Sequence, residues 1–466
     1  MASEIIPTNR KALKINIDTP FYGSFAEIGG GQEVARHFFQ AGGSSLTVAK
    51  TISAYDKSFS DALYNQGQQG RYVSEDRLLK MLDAEYRQVE NLVKDQNQEK
   101  LLFAFADTFE ILNYQKTNSG NGWMGIKFQL NPNSEPNTII LHVKLLENDG
   151  LLQQATIGVL GVNLVYACAY HHKYPNVFLQ SLLENLSKDR FRITMIRMEG
   201  PDLEYVDNRL LAVQLVKHGI THAIMFDKEG QVQQPSDMLY KKNVLAFRGH
   251  FKPITNIAMD IIDQSLSLFK RDENYEPGNT LFFCELTLND ITNQGVIDEK
   301  DFLQRVDMLN LMGQNVMVSD FREFHKLTAF FSQFKMKQLR IILGVPNLQT
   351  ILDKSSYSDL DGGIMEALAM LFRKNTKMYI YPTKTDRSAE LISSKDVFLE
   401  ADVKNLYKYL IKNKLILDIT PRHIDELSIR SKEVLQLISE KREDWRKYIP
   451  IEVADYIIEK RLFSAL

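Results

Sequence analysis

The stretch N-V-L-A-F-R-G-H-F-K-P-I-T-N-I-A-M-D-I-I, Asn243 to Ile262, reads as a strand, a tight turn at Gly249 and an amphipathic helix opened by Pro253. Gly249 lets the backbone turn closely past a ligand. The missing N–H of Pro253 costs nothing at a helix start. The first free N–H groups of that helix point back into the turn and make an anion site, to which Thr255 adds a hydroxyl.

The pattern continues on both sides. From about 137 to 385, short apolar runs such as T-I-I-L-H-V-K-L, T-L-F-F-C-E-L and L-R-I-I-L-G-V alternate with helical stretches such as N-R-L-L-A-V-Q-L-V-K. Continuous rather than alternating apolarity predicts parallel strands covered on both faces, hence an α/β fold. Doubly wound units with a Rossmann-like C-terminal half are expected, with one closed eight-stranded β/α barrel as the alternative. Four regions are expected: a glycine-rich N-terminal arm and α+β region (1–135), a first α/β unit (136–240), a second (241–385) and a helical C-terminal region (386–466).

Composition narrows the function classes. The chain has 466 residues, 44% of them hydrophobic and 25% charged, as in an ordinary globular protein of two or three domains. A net charge of −3 supplies no overall basic field, so neither nucleic acid nor an anionic membrane is an expected partner. Only Cys168 and Cys284 are present, both in apolar runs, which predicts reduced, buried thiols. No apolar h-region follows the N-terminal M-A-S-E-I-I-P-T-N-R-K, and the apolar run Ala155–Tyr170 is shorter than the roughly 18–20 residues of a membrane span. A cytoplasmic protein is expected.

Gly249, Phe251, Pro253, Ile254, Thr255 and Asn256 resemble the G-x-F-x-P-x-[TH]-x-G-H signature of the nucleotidylyltransferase superfamily. The resemblance is nearest to the phosphopantetheine adenylyltransferase form, G-T-F-D-P-I-T-N-G-H. The closing Gly-His is Ile257-Ala258 here, which removes the imidazole that stabilises charge developing on the transferred phosphate. A second segment, L-S-I-R-S-K-E-V-L-Q-L-I from Leu427 to Ile438, is similar to the I-S-S-T-x-I-R segment of the same superfamily, with Arg430 before rather than after the second serine. The whole chain also resembles a bacterial family carrying the names nicotinate-nucleotide adenylyltransferase and TonB-dependent receptor. The receptor name conflicts with the missing period-two barrel pattern.

The resemblance implies a bound nucleoside triphosphate with Mg²⁺ and transfer of its nucleotidyl group to an acceptor phosphate. Gly249, Phe251, Thr255, Ser428, Ser431 and Lys432 would hold phosphates, while His250, Lys252 and Arg430 would carry the developing charge. The competing expectation is a catalytically inactive nucleotide-sensing or self-assembling homo-oligomer, with Ser428 serving as an ordinary helix cap.

Three further features have local readings. Gly29-Gly30-Gly31 fits neither the P-loop nor the dinucleotide fingerprint, and is expected to cradle a ligand, form a turn or join subunits. His171-His172 is expected at a solvated strand end, and no metal site is expected. Asp227, Arg248, Glu285, Asp320, Arg322 and Asn347 end predicted strands, where α/β sheets assemble ligand sites.

Overall fold

The computed structural model of the chain describes all residues except 1–4, 94–98, 274, 374, 386–387, 423, 425–426, 428 and 464–466. The chain divides into two compact units, Met1–Thr221 and His222–Leu466, each with its own sheet. Of the expected boundaries, 135/136 falls between neighbouring strands of the first sheet and 385/386 falls inside the second unit.

The first unit carries strands β1 (Phe21–Gly29), β2 (Val48–Ile52), β3 (Leu101–Glu110), β4 (Asn121–Phe128), β5 (Asn137–Leu145) and β6 (Phe191–Glu199). They lie in the order β2-β1-β3-β4-β5-β6. β1 is parallel to both its neighbours, whereas β3 to β6 form an antiparallel meander. The expected all-parallel arrangement is therefore corrected for β5 and β6. Continuous apolarity reports burial on two faces, and here helices bury both faces of antiparallel strands as well. Phe25, Phe103, Phe105, Ile126 and Leu141 pack with Ile157, Leu160 and Leu164, while Leu102 and Ala104 pack with Tyr86 and Val89 on the other side.

The apolar run at 155–170 is helical, within Gly150–Tyr170, capped by the Asp149 side chain on the Leu151 and Leu152 N–H groups. It is long and apolar enough to cross a membrane, but 72% of its most apolar window is buried inside the unit. His171 and His172 follow this helix rather than a strand.

The second unit carries β7 (Ala223–Phe226), β8 (Val232–Gln233), β9 (Asn243–Arg248), β10 (Thr280–Thr287), the short pair β11 (Thr292–Asn293) and β12 (Val296–Ile297), β13 (Asn315–Ser319), β14 (Gln338–Gly344), β15 (Thr376–Tyr381), the pair β16 (Thr383–Thr385) and β17 (Ser388–Ile392), and β18 (Ile416–Asp418). The main sheet runs β18-β15-β14-β9-β10-β13-β7-β8. All six strands from β18 to β13 are parallel; β7 runs against them, and β8, antiparallel to β7, turns back to their direction.

The parallel part is a doubly wound sheet. The chain starts in the middle at β9, winds out through β10 to β13, then returns to β14 and winds out through β15 to β18. Successive β9 residues Val244 and Leu245 are both fully buried, so both faces are covered. The sheet is open, which excludes the closed-barrel alternative. The winding reverses between β9 and β14, and ligands in such sheets bind at the carboxyl ends of the two strands flanking that reversal.

Candidate functional site

The turn after β9 therefore stands at the switch point of the second unit. The helix that follows, Asn256–Phe269, is capped by Thr255, whose hydroxyl accepts the Ala258 N–H at 3.2 Å. Thr255 is buried, so its hydroxyl serves the helix first. The turn is packed upon itself: a Cβ on Gly249 would lie 2.8 Å from the Phe251 ring, so only glycine fits there. Phe251 adopts φ +48° and sets its ring edge-on to Phe247, with centroids 5.4 Å apart. Packing holds Phe251 in a region that L-residues rarely occupy. The Lys252–Pro253 peptide bond is cis.

The structure brings the second resembling segment to the first. Its helix, Ser431–Ser439, begins beside the turn, and Ser431 Oγ donates to the Pro253 carbonyl at 2.8 Å. Arg430 is the N-cap, its own N–H donating to the Glu433 carboxylate at 2.9 Å. The Arg430 and Lys432 side chains are exposed. Ser428 lies outside the described residues. Further along the C-terminal region, the Lys447 carbonyl accepts from the Asn256 side chain at the start of Asn256–Phe269, at 2.8 Å.

The cations of the turn have carboxylate partners from the next β–α connection. His250 Nδ1 lies 2.9 Å from Asp290, and Lys252 Nζ 2.8 Å from Asp301. Asp301 also holds Arg305 at 2.5 Å, and Arg305 donates to the His250 carbonyl at 2.9 Å. The hydrogen bond to Asp290 raises the His250 pKa above its ordinary value. Burial works to lift the Asp290 pKa, but bonds from His250 and Thr287 outweigh it and hold that carboxyl low.

At the ends of β9, β10 and β13, Arg248 meets Glu285 in a two-pronged pair at 2.9 and 3.0 Å, and Ser319 Oγ donates to the same carboxylate at 2.6 Å. Glu285 is fully buried. Arg248 also donates to the Arg322 carbonyl and lies over the Phe324 ring. This is a closed network that ties three strands together. Asp320 pairs with His222 at 3.0 Å. Asp227 was grouped with these residues from sequence, but β7 is antiparallel to β13, which puts its end beside the amino-terminal ends of the parallel strands. There Asp227 accepts the Glu229 and Gln231 N–H groups of a turn.

In the first unit, the glycine stretch closes β1 against β3. Gly29 has φ +72°, and a Cβ on Gly31 would fall 2.0 Å from Asp107 Oδ1. The glycines thus serve close packing inside their own unit. A cavity of about 630 Å³ opens beside them, lined by Gly29, Gly30, Gln32, Tyr55, Arg71 and Tyr72 among others. Two residues back from Gly29 along β1, Glu27 is paired with Asp107 in the β1–β3 register. Glu27 accepts the Val34 and Ala35 N–H groups at 2.8 and 3.1 Å, capping the helix Val34–Ala41. Burial, then the neighbouring Glu27 carboxyl, pushes Asp107 well above the carboxylate range. No signal of one strand marks this pair, because its members are far apart in the chain.

A second cavity of about 270 Å³ lies at the opposite, N-terminal ends of β14 and β15. Two of its cations are engaged, Lys337 with Glu276 and Arg373 with Ser332. Among the described residues, no three His, Cys, Asp or Glu side chains are grouped as a metal site.

No protein-family profile matches the chain, and no curated protein is similar to it. Similar solved structures include the competence/damage inducible protein CihA from Agrobacterium tumefaciens, at 19% identity over 34% of this chain and 92% of that one, with a TM-score of 0.23. They include a candidate nicotinate-nucleotide adenylyltransferase from Vibrio parahaemolyticus, at 12% identity over 48% of this chain and 97% of that one, with a TM-score of 0.25. A competence-damaged protein (CinA) superfamily member from Escherichia coli matches at 14% identity over 39% of this chain and 96% of that one, with a TM-score of 0.23. Likenesses this distant carry no argument about activity. The α/β architecture rests on the strands and helices described above.

Proposed function

We propose that the second unit binds a nucleoside triphosphate, with Mg²⁺ on its phosphates, at the carboxyl ends of β9 and β14. The observation that carries this reading is the Ser431–Pro253 hydrogen bond. It joins the two segments that resemble nucleotidylyltransferase motifs at the switch point, where a parallel sheet offers its ligand crevice. The backbone after Gly249 and the N-terminus of Asn256–Phe269 would face the phosphates, with Arg430 and Lys432 supplying charge from the exposed start of the second helix.

Nucleotidyl transfer would then be attack of an acceptor phosphate on the α-phosphate with pyrophosphate leaving, a reaction that needs positioning and charge stabilisation rather than a covalent intermediate. A second reading is favoured by a specific observation. Where the resembling signature has Gly-His, Ile257 and Ala258 occupy the first helical turn, and the Ala258 N–H is already used by Thr255. Binding without turnover, in a cytoplasmic nucleotide-sensing homo-oligomer, fits that substitution.

The deciding experiment is a thermal-shift titration with ATP and CTP, with and without Mg²⁺, on the full chain and on Arg430→Ala/Lys432→Ala. A ligand at a hundred times its Kd should add about 2.7 kcal/mol of stability. A shift weakened in the double variant supports the site. No shift with any nucleotide sinks it.

A further inference from the structure

We propose that the turn after β9 is a latched anion site, in which Asp290 and Asp301 occupy the cations that a bound polyphosphate would otherwise take. This rests on the nucleotide-binding reading and states how that site is regulated.

His250 and Lys252 are the two cationic side chains of the turn, and the structure turns both toward the following β–α connection. Asp290 comes from the loop after β10. It is anchored there by the Thr287 N–H and hydroxyl at 3.2 and 2.6 Å, and its other oxygen lies 2.9 Å from His250. Asp301 comes from the first turn of the helix Glu299–Leu311, where the Asp298 side chain holds its N–H. It takes Lys252 on one oxygen and Arg305 on the other. Arg305 completes the strap by donating to the His250 carbonyl.

The consequence is electrostatic. Lys252 and Arg305 are balanced by Asp290 and Asp301, so the turn is neutral unless His250 is protonated. An arriving polyphosphate can meet the exposed Arg430 and Lys432 directly, but it reaches Lys252 or His250 only by displacing the carboxylate paired with each. The same arrangement supplies a release. A movement of the helix Glu299–Leu311, or neutralisation of Asp301, frees Lys252, and neutralisation of Asp290 frees the His250 imidazole, both just ahead of the helix N-terminus that would face the phosphates. Exposure agrees with a displaceable pair: the His250 side chain is 78% exposed while its Asp290 partner is 16% exposed. The imidazole is the more accessible member of the pair.

The test is calorimetric titration of the full chain with inorganic tripolyphosphate and, separately, with ATP. Asp301→Asn and Asp290→Asn are compared with Glu299→Gln, an exposed carboxylate on the same helix that holds neither cation. Each aspartate variant should bind tripolyphosphate about tenfold more tightly than wild type, the worth of one regained charge-assisted contact. Glu299→Gln should change it little, and Lys252→Ala added to Asp301→Asn should erase the gain. Because Asp301 also holds the nearly buried Arg305, Asp290→Asn carries the test alone if the other variant does not fold.

Equal gains in Glu299→Gln, or a gain that survives Lys252→Ala, would mean general charge rather than a latch, and would overturn the proposal. If ATP binds wild type and the aspartate variants alike, the nucleotide reading stands and the latch falls. If no variant binds tripolyphosphate or ATP, both fall together.

Discussion

Ser431 Oγ donates to the Pro253 carbonyl across 2.8 Å and 178 residues of chain. One hydroxyl thus pins the start of a C-terminal helix to the turn that leaves the central strand of the second unit. Ser431→Ala should cost about 1 kcal/mol, the usual net worth of such a bond. Amide exchange at 255–259 should quicken relative to the strand core. Unfolding by urea reads the first and hydrogen exchange the second; unchanged exchange would show that the contact does not hold the turn.

Thr255 is the cap of the Asn256–Phe269 helix. Thr255→Val keeps the shape and removes the acceptor for the Ala258 N–H, with an expected loss of about 1 kcal/mol; Thr255→Ser should keep most of it. The same pair separates two roles in a nucleotide titration. If Thr255 meets phosphate only through the helix it caps, valine weakens binding by no more than it weakens the helix.

Breaking the Arg248–Glu285 pair should be expensive. Glu285 is fully buried, so Glu285→Ala leaves the guanidinium facing a dry site, at a cost of about 3 kcal/mol or more. The double variant Arg248→Met/Glu285→Leu should recover much of that loss, because neither charge is then stranded. A double-mutant cycle in denaturant measures this; additive losses would contradict the closed network.

Glu27 and Asp107 set a pH slope in the first unit. Burial raises both carboxyls, Asp107 also through Glu27, so the folded state holds protons that the unfolded chain releases. That contribution is fully present below the unfolded carboxylate value of about 3.9 and is lost as pH rises through the raised folded value. Stability of the first unit should therefore decline as pH rises above the ordinary carboxylate range, more steeply in wild type than in Asp107→Asn. Identical slopes would mean that Asp107 does not hold the proton.

His250 has the same sign for a different cause. Its pKa is raised because Asp290 accepts from the imidazole. The attraction is present below the ordinary histidine value and disappears as pH rises through the raised one. In an NMR titration His250 should lose its proton above the ordinary value of 6.5, and Asp290→Asn should bring it back toward that value.

Much of the fold was legible locally. The strand ending at Arg248 and the turn at Gly249 are where the sequence pattern puts them, but the helix opens at Asn256 under a Thr255 cap rather than at Pro253, which stays in the turn. The first unit was less legible. F-Y-G-S-F-A-E-I-G and L-L-F-A-F-A-D-T-F-E form neighbouring strands of one sheet, yet glycines and polar residues around them masked the pattern. Aligning the two stretches by their shared step of Phe-Ala followed by an acidic residue would have suggested the pairing of Glu27 with Asp107.

What the sequence determined by itself is what neighbouring residues decide: which runs are apolar enough to be buried, where helices begin, and that both cysteines lie inside. Only the tertiary structure decided strand direction and order, the meeting of Ser431 with Pro253, and the carboxylates assigned to His250 and Lys252. Two-sided burial makes a strand apolar whichever way it runs, so apolarity cannot report direction. A charge far along the chain finds its partner through the winding of the sheet, and that winding is a property of the packed whole.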